Sequence, residues 1–150
     1  IKTKRNNSSG TMKGSKLAVA ENEIISVTEA RGVSENDPTV YTVLFHPQEP
    51  SLETVDAAVD MLGFFKEISW DFILVADMRL APLGSQLSYV KSYSRLIRKI
   101  ANKNCKLCIA QVPHLPPSSA WLQPILSGSL KLIVGALGVK LEIRTGDTPV

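Results

Sequence analysis

Cys105 and Cys108 stand three residues apart, the CxxC spacing of redox and zinc sites. A zinc site wants four ligands, and the chain has no second CxxC. A redox pair sits at a helix start, where the dipole lowers a thiol pKa. Here the pair falls in an apolar strand read over Lys106–Val112, where positions three apart face opposite sides of a sheet. The residues therefore read as reduced, buried cysteines of a cytoplasmic protein. His46, Asp77 and His114 are the other residues able to do chemistry, as metal ligands or as an acid–base set. None belongs to a local motif such as His-x-x-x-His or a nucleophile elbow. No glycine-rich loop follows any strand, which argues against a nucleotide enzyme. The chain shows no catalytic signature, and neither a metal nor a cofactor is expected. An α/β enzyme remains a third reading only if those three side chains converge.

The element that positions Asp77 is the run Phe72-Ile-Leu-Val-Ala76, apolar throughout and too short for a helix. Continuous apolarity without alternation predicts a strand covered on both faces. Asp77 and Arg79 follow at its carboxyl end. Lys16–Ala20 and Glu23–Glu29 read as a hairpin or bent edge strand, and the β-branched Thr39–Phe45 as a strand ending at His46-Pro47. A helix is predicted from a Ser51 N-cap to about Ile68, with Leu52, Val55, Val59, Leu62 and Phe65 as its apolar stripe. Asp56, Asp60 and Glu67 fall on its opposite face. A second helix, from about Gly84 to Lys103, puts Val90, Tyr93, Ile97 and Ile100 on one side and Lys91, Arg95, Arg98 and Lys99 on the other. That basic side is either a solvated surface or a platform for a phospholipid headgroup or acidic partner.

From Leu115 to Val139 the only charged residue is Lys131. A short helix capped by Ser118 or Ser119 is expected to stop near Pro124, and a second, apolar nearly all round, to run over Ser129–Leu137. Such a segment is buried core, the lining of an apolar ligand site, or a partner surface. Val139–Arg144 closes the chain as the last strand. Helices alternating with apolar strands predict an α/β fold: a two-layer or three-layer sandwich around a mainly parallel sheet of about five strands. Ligands in such sheets collect at the strands' carboxyl ends.

At 150 residues, 44% hydrophobic and 21% charged, the chain accommodates one domain over residues 16–150 with a basic N-terminal arm or linker over 1–15. Residues 1–16 carry five cations and no acid, so the net charge of +3 leaves −2 for the rest. A slightly acidic body gives no reason to expect nucleic acid as a partner. The arm is polar rather than signal-like, and the richest apolar stretch, Leu130–Val139, is too short to span a bilayer, so membrane contact, if made, is peripheral.

Glu23–Arg144 resembles the CRAL-TRIO or SEC14-like lipid-binding domains. The similarity lies in two initial strands, a helix, the strand ending Val75-Ala76-Asp77-Met78-Arg79, a helix with a basic outer face, the strand ending Val112-Pro113, and Pro124-Ile125-Leu126-Ser127 before the last strand. The resemblance implies a non-catalytic regulatory module, within a larger protein, that binds a lipid or apolar small molecule or a protein partner. Trp121, Leu122, Ile125, Leu126, Leu130 and Ile133 would then line or gate the pocket. The order of elements also resembles STAS domains of the anti-sigma-factor-antagonist type. That resemblance implies a protein-interaction module in which Ser85, opening the second helix in Leu83-Gly84-Ser85-Gln86-Leu87, takes the place of a phosphorylated switch residue.

Overall fold

The computed structural model describes residues 16–32, 36–82 and 87–146. Six strands form one sheet in chain order: β1 (Lys16–Glu21), β2 (Ile25–Ala30), β3 (Thr39–Phe45), β4 (Phe72–Asp77), β5 (Cys105–Val112) and β6 (Lys140–Thr145). The first three are antiparallel neighbours and β3 to β6 run parallel. Three helices make the parallel crossovers: α1 (Leu52–Met61), continued by a 3₁₀ helix over Leu62–Glu67, then α2 (Leu87–Ile100) and α3 (Leu122–Ala136). The α/β class and mainly parallel sheet expected from the sequence are present, with six strands rather than about five.

Local chemistry explains these elements. The β1–β2 turn closes on Asn22, whose side-chain oxygen accepts from the Ile24 and Ile25 N–H groups at 2.9 and 3.0 Å. The Asn22 amide also reaches the Thr54 carbonyl, tying the hairpin to α1. Ser51 caps α1 in a capping box with Thr54, each side chain accepting from the other's backbone N–H. At the other end of the layer, α3 stops in a Schellman turn. Gly138 takes φ +73°, where a side chain would be strained, and the Val139 N–H reaches back to the Val134 carbonyl.

One apolar core lies on one face of the sheet. Tyr41, Val43, Phe45, Phe72, Leu74, Ala76, Cys108, Ala110 and Val112 meet Val55, Ala58, Leu62 and Phe65 from α1 and its extension. Tyr93, Leu96, Ile97 and Ile100 of α2 and Leu122, Leu126, Leu130 and Val134 of α3 complete it. Edge-to-face rings lock the centre, with Tyr41 5.1 Å from Phe65 and Phe45 5.2 Å from Tyr93. Leu52, expected on the buried stripe of α1, is instead exposed in its first turn.

Two further expectations are corrected. The β4–β5 register slips between Phe72 and Ile73: Cys105 pairs with Phe72 and Leu107 with Ile73, leaving Lys106 as the extra residue of a bulge. The bulge puts Cys105 and Cys108 beside Phe72 and Leu74, on one face rather than on opposite faces. Pro124 does not split the following segment either. It is the third residue of a continuous α3, in the first turn, where an N–H has no intrahelical partner to lose.

All three helices pack on the core face, with α2 in contact with both α1 and α3, so the described residues form a two-layer sandwich. The central strand's apolar run predicts cover on both sides, yet no described helix lies over Ile73 and Val75. No helix among the described residues is long and apolar enough to cross a membrane.

Candidate functional site

The residues best suited to catalysis are committed elsewhere. The Nδ1 atom of His46 bonds the Glu23 carbonyl at 3.0 Å, so this nitrogen carries the proton, and Nε2 bonds the Ser26 hydroxyl at 2.6 Å. Asp77, 7% exposed, takes a two-pronged ion pair from Arg79: Nε to Oδ1 at 2.8 Å and Nη2 to Oδ2 at 2.5 Å. Those hydrogen bonds, helped by the Arg79 backbone N–H, outweigh burial and hold the carboxyl below its ordinary value of 3.8. His114 is exposed on the loop after β5. No hydrogen bond joins the three, and among the described residues no three metal-ligating side chains cluster. The cysteines are free and buried, and burial pushes Cys105 up to about 11 and Cys108 up to about 12. Thiols so protonated are poor nucleophiles and poor metal ligands.

The surface between α2 and α3 is different. A groove of about 490 Å³ runs between them, lined by Lys91, Ser94, Arg95 and Arg98 from α2 and by Ser129, Leu132 and Ile133 from α3. A second hollow of about 290 Å³ shares Arg98, Leu132 and Ile133 and extends the groove to Ala136 and Leu137. Arg95 pairs with Asp56 of α1 at 3.0 Å, an exposed contact worth at most about 1 kcal/mol. Neither Lys91 nor Arg98 meets a carboxylate among the described residues. The Ser94 hydroxyl is buried on the groove wall and has no hydrogen-bond partner there.

Leu132, which shares the groove with the cations, belongs to a stripe of exposed apolar side chains on α3. Trp121 is 56% exposed, Ile125 38% and Leu132 76%, and their offsets of four and seven residues put them on one side of α3. The stripe is opposite the core positions Leu122, Leu126, Leu130 and Val134. The predicted ligand set therefore divides: Leu122, Leu126 and Leu130 are in the core, Trp121 and Ile125 face outward, and Ile133 lines the groove. Lys91, Arg95 and Arg98 share that groove, and Lys99 is exposed nearby on α2. Ser85 lies outside the described residues. Leu132 and Leu137, which the sequence reading does not single out, are the missing members. Treating 122–136 as one unbroken helix brings Trp121, Ile125 and Leu132 into register, whereas a break at Pro124 separates them.

Another hollow, of about 520 Å³, lies at the amino ends of the parallel strands, lined among others by Arg31, Trp70, Asp71, Lys106 and Leu107. Its charges are already answered: Arg31 pairs with Glu29 at 3.2 Å and lies 5.4 Å over the Trp70 ring, and Lys106 faces Asp71 at 3.7 Å. We therefore place the candidate site at the smaller α2–α3 groove, whose cations are in part unspent. Family models, curated proteins and solved structures were all compared with the chain, and none matches it.

Proposed function

We propose that the chain is a non-catalytic module of SEC14-like or STAS-like kind that docks through its α2–α3 surface on an anionic lipid surface. The observation that carries this reading is the placing of Lys91 and Arg98, both without carboxylate partners among the described residues, beside exposed Leu132, with Trp121 and Ile125 exposed on the same side of α3. Cations attract lipid phosphates at roughly 1 kcal/mol each, and indole and leucine side chains belong at the headgroup–acyl boundary. Three cations (Lys91, Arg98 and Lys99) contribute about 3 kcal/mol on that scale, enough for reversible binding only. The buried face of α3 fills the core with leucines, which favours a lipid met at the surface over one enclosed within.

Trp121 reports directly on this idea, because the chain holds only two tryptophans. In a Trp70→Phe background, phosphatidylcholine vesicles containing phosphatidylserine are expected to shift Trp121 emission to the blue. Salt at about 0.5 M reverses the shift by screening, and vesicles of phosphatidylcholine alone give none. An unchanged spectrum with no co-sedimentation overturns the proposal.

A further inference from the structure

The face of the sheet away from the helices carries three unbroken transverse rows. The first runs Lys16, Ala30, Val40, Ile73, Leu107, Lys140 from β1 to β6. The second runs Ala18, Thr28, Thr42, Val75, Ile109, Glu142, and the third Glu21, Ser26, Leu44, Asp77, Gln111, Arg144. Charged residues stand at the edge strands, and Val40, Leu44, Ile73, Val75, Leu107 and Ile109 occupy the middle together with the ion-paired Asp77 and with Gln111. The core cluster contains none of these six apolar residues: Val75 is 5% exposed and the other five are half-buried, on a face that no described helix covers. We infer that this surface is the interface of a homodimer, in which two copies stack their sheets face to face.

Size and charge both select a second copy. Strands about 4.8 Å apart, rising about 3.3 Å per residue, make six strands of six residues a face of roughly 29 by 20 Å. With its side-chain relief, that face is of the order of the roughly 800 Å² per partner that a standard interface buries. A two-fold axis parallel to the strands, between β3 and β4, lays β1 of one copy over β6 of the other. Val40 then stacks on the partner's Ile73, and Thr42 on the partner's Val75. Glu21 meets the partner's Arg144 at both edges, since one row carries opposite charges at its two ends. Arg144 already donates from Nε to Glu142 at 2.7 Å, and its guanidinium has further N–H groups for a second carboxylate. Lys16 over the partner's Lys140 is the one repulsive pair, at an edge where both ammonium groups reach water. Asp77 enters the interface with its charge answered by Arg79.

Sedimentation velocity on the full chain, from about 1 to 100 µM, tests the inference at concentrations where an interface of this size associates. A dimer is expected. Ile109→Lys places its ammonium beside Glu142, its neighbour across the ladder, so the monomer keeps its fold while the dimer must bury charge. It should raise the dissociation constant about a hundred-fold. Arg144→Glu alone weakens the dimer, and the double change Glu21→Arg, Arg144→Glu restores it. Three results would overturn the inference: a monomeric wild type at 100 µM, a dimer indifferent to Ile109→Lys, or a double exchange that restores nothing. A dimer lost on Leu132→Asp instead would move the interface to α3.

Discussion

Two leucines on α3, two residues apart, should respond to the same substitution in opposite ways. Leu130 is 1% exposed, in the core, and Leu132 is 76% exposed, beside Arg98 in the groove. Leu130→Ala removes buried methyl groups and leaves a cavity, a change of about 3 kcal/mol in stability, or roughly 10 °C in midpoint for a chain of this length. Leu132→Ala removes little that is buried, so stability should stay within about 0.5 kcal/mol of wild type. Binding to anionic vesicles should reverse the order. A fully inserted leucine side chain contributes about 2 kcal/mol more than alanine, so Leu132→Ala should weaken partitioning about thirty-fold. Leu130→Ala, once folded, should bind within about three-fold of wild type, because its side chain meets only the core. Urea unfolding followed by circular dichroism reads the first quantity and vesicle co-sedimentation the second. Equal destabilisation by the two variants would refute the division of α3 into a core face and an outer face. Undiminished vesicle binding by Leu132→Ala would refute the docking role of the outer face.

Two other predictions follow from buried polar groups. Removing the guanidinium by Arg79→Met leaves the Asp77 carboxylate buried and unpaired, at a loss of about 3 kcal/mol at neutral pH. In the wild type this carboxyl is held below 3.8, so its contribution is full above that value and fades as pH falls through the depressed one. In the variant the carboxyl is raised, so stability improves on acidification, and the gap between the proteins should narrow towards pH 3. A gap constant across that range, measured by urea midpoint, would show that Arg79 acts by packing alone. The second concerns Cys105 and Cys108, raised to about 11 and about 12 by burial. Neither should react with a disulfide reagent at pH 8 until the protein is unfolded in urea, when two equivalents should titrate. Rapid labelling of the folded chain would show that the layer opens locally.

Much of the fold was legible in the residues because its signals are local. Thr39–Phe45 is strand from its β-branched content, Ser51 caps a helix from its own hydroxyl, and Phe72–Ala76 is too apolar and too short for anything but a buried strand. The alternation of these elements then implies crossovers and a parallel sheet. The basic side of α2 was legible too, since Lys91, Arg95, Arg98 and Lys99 recur at helical spacing.

What the residues left open depends on long-range packing. Pro124 reads as a break from its chemistry, yet it occupies a first turn, and only the start of α3 at Leu122 decides that. The cysteines share a face because Lys106 is bulged out against β4, and a bulge is a property of two strands, not of one. An apolar strand signals that both faces need cover, but not whether a helix or another molecule supplies it. The three helices lie together on one side because the strands are in chain order, with every parallel crossover on the core face. Ile73 and Val75 are thereby left on the other face, and Lys91 and Arg98 are brought beside Leu132.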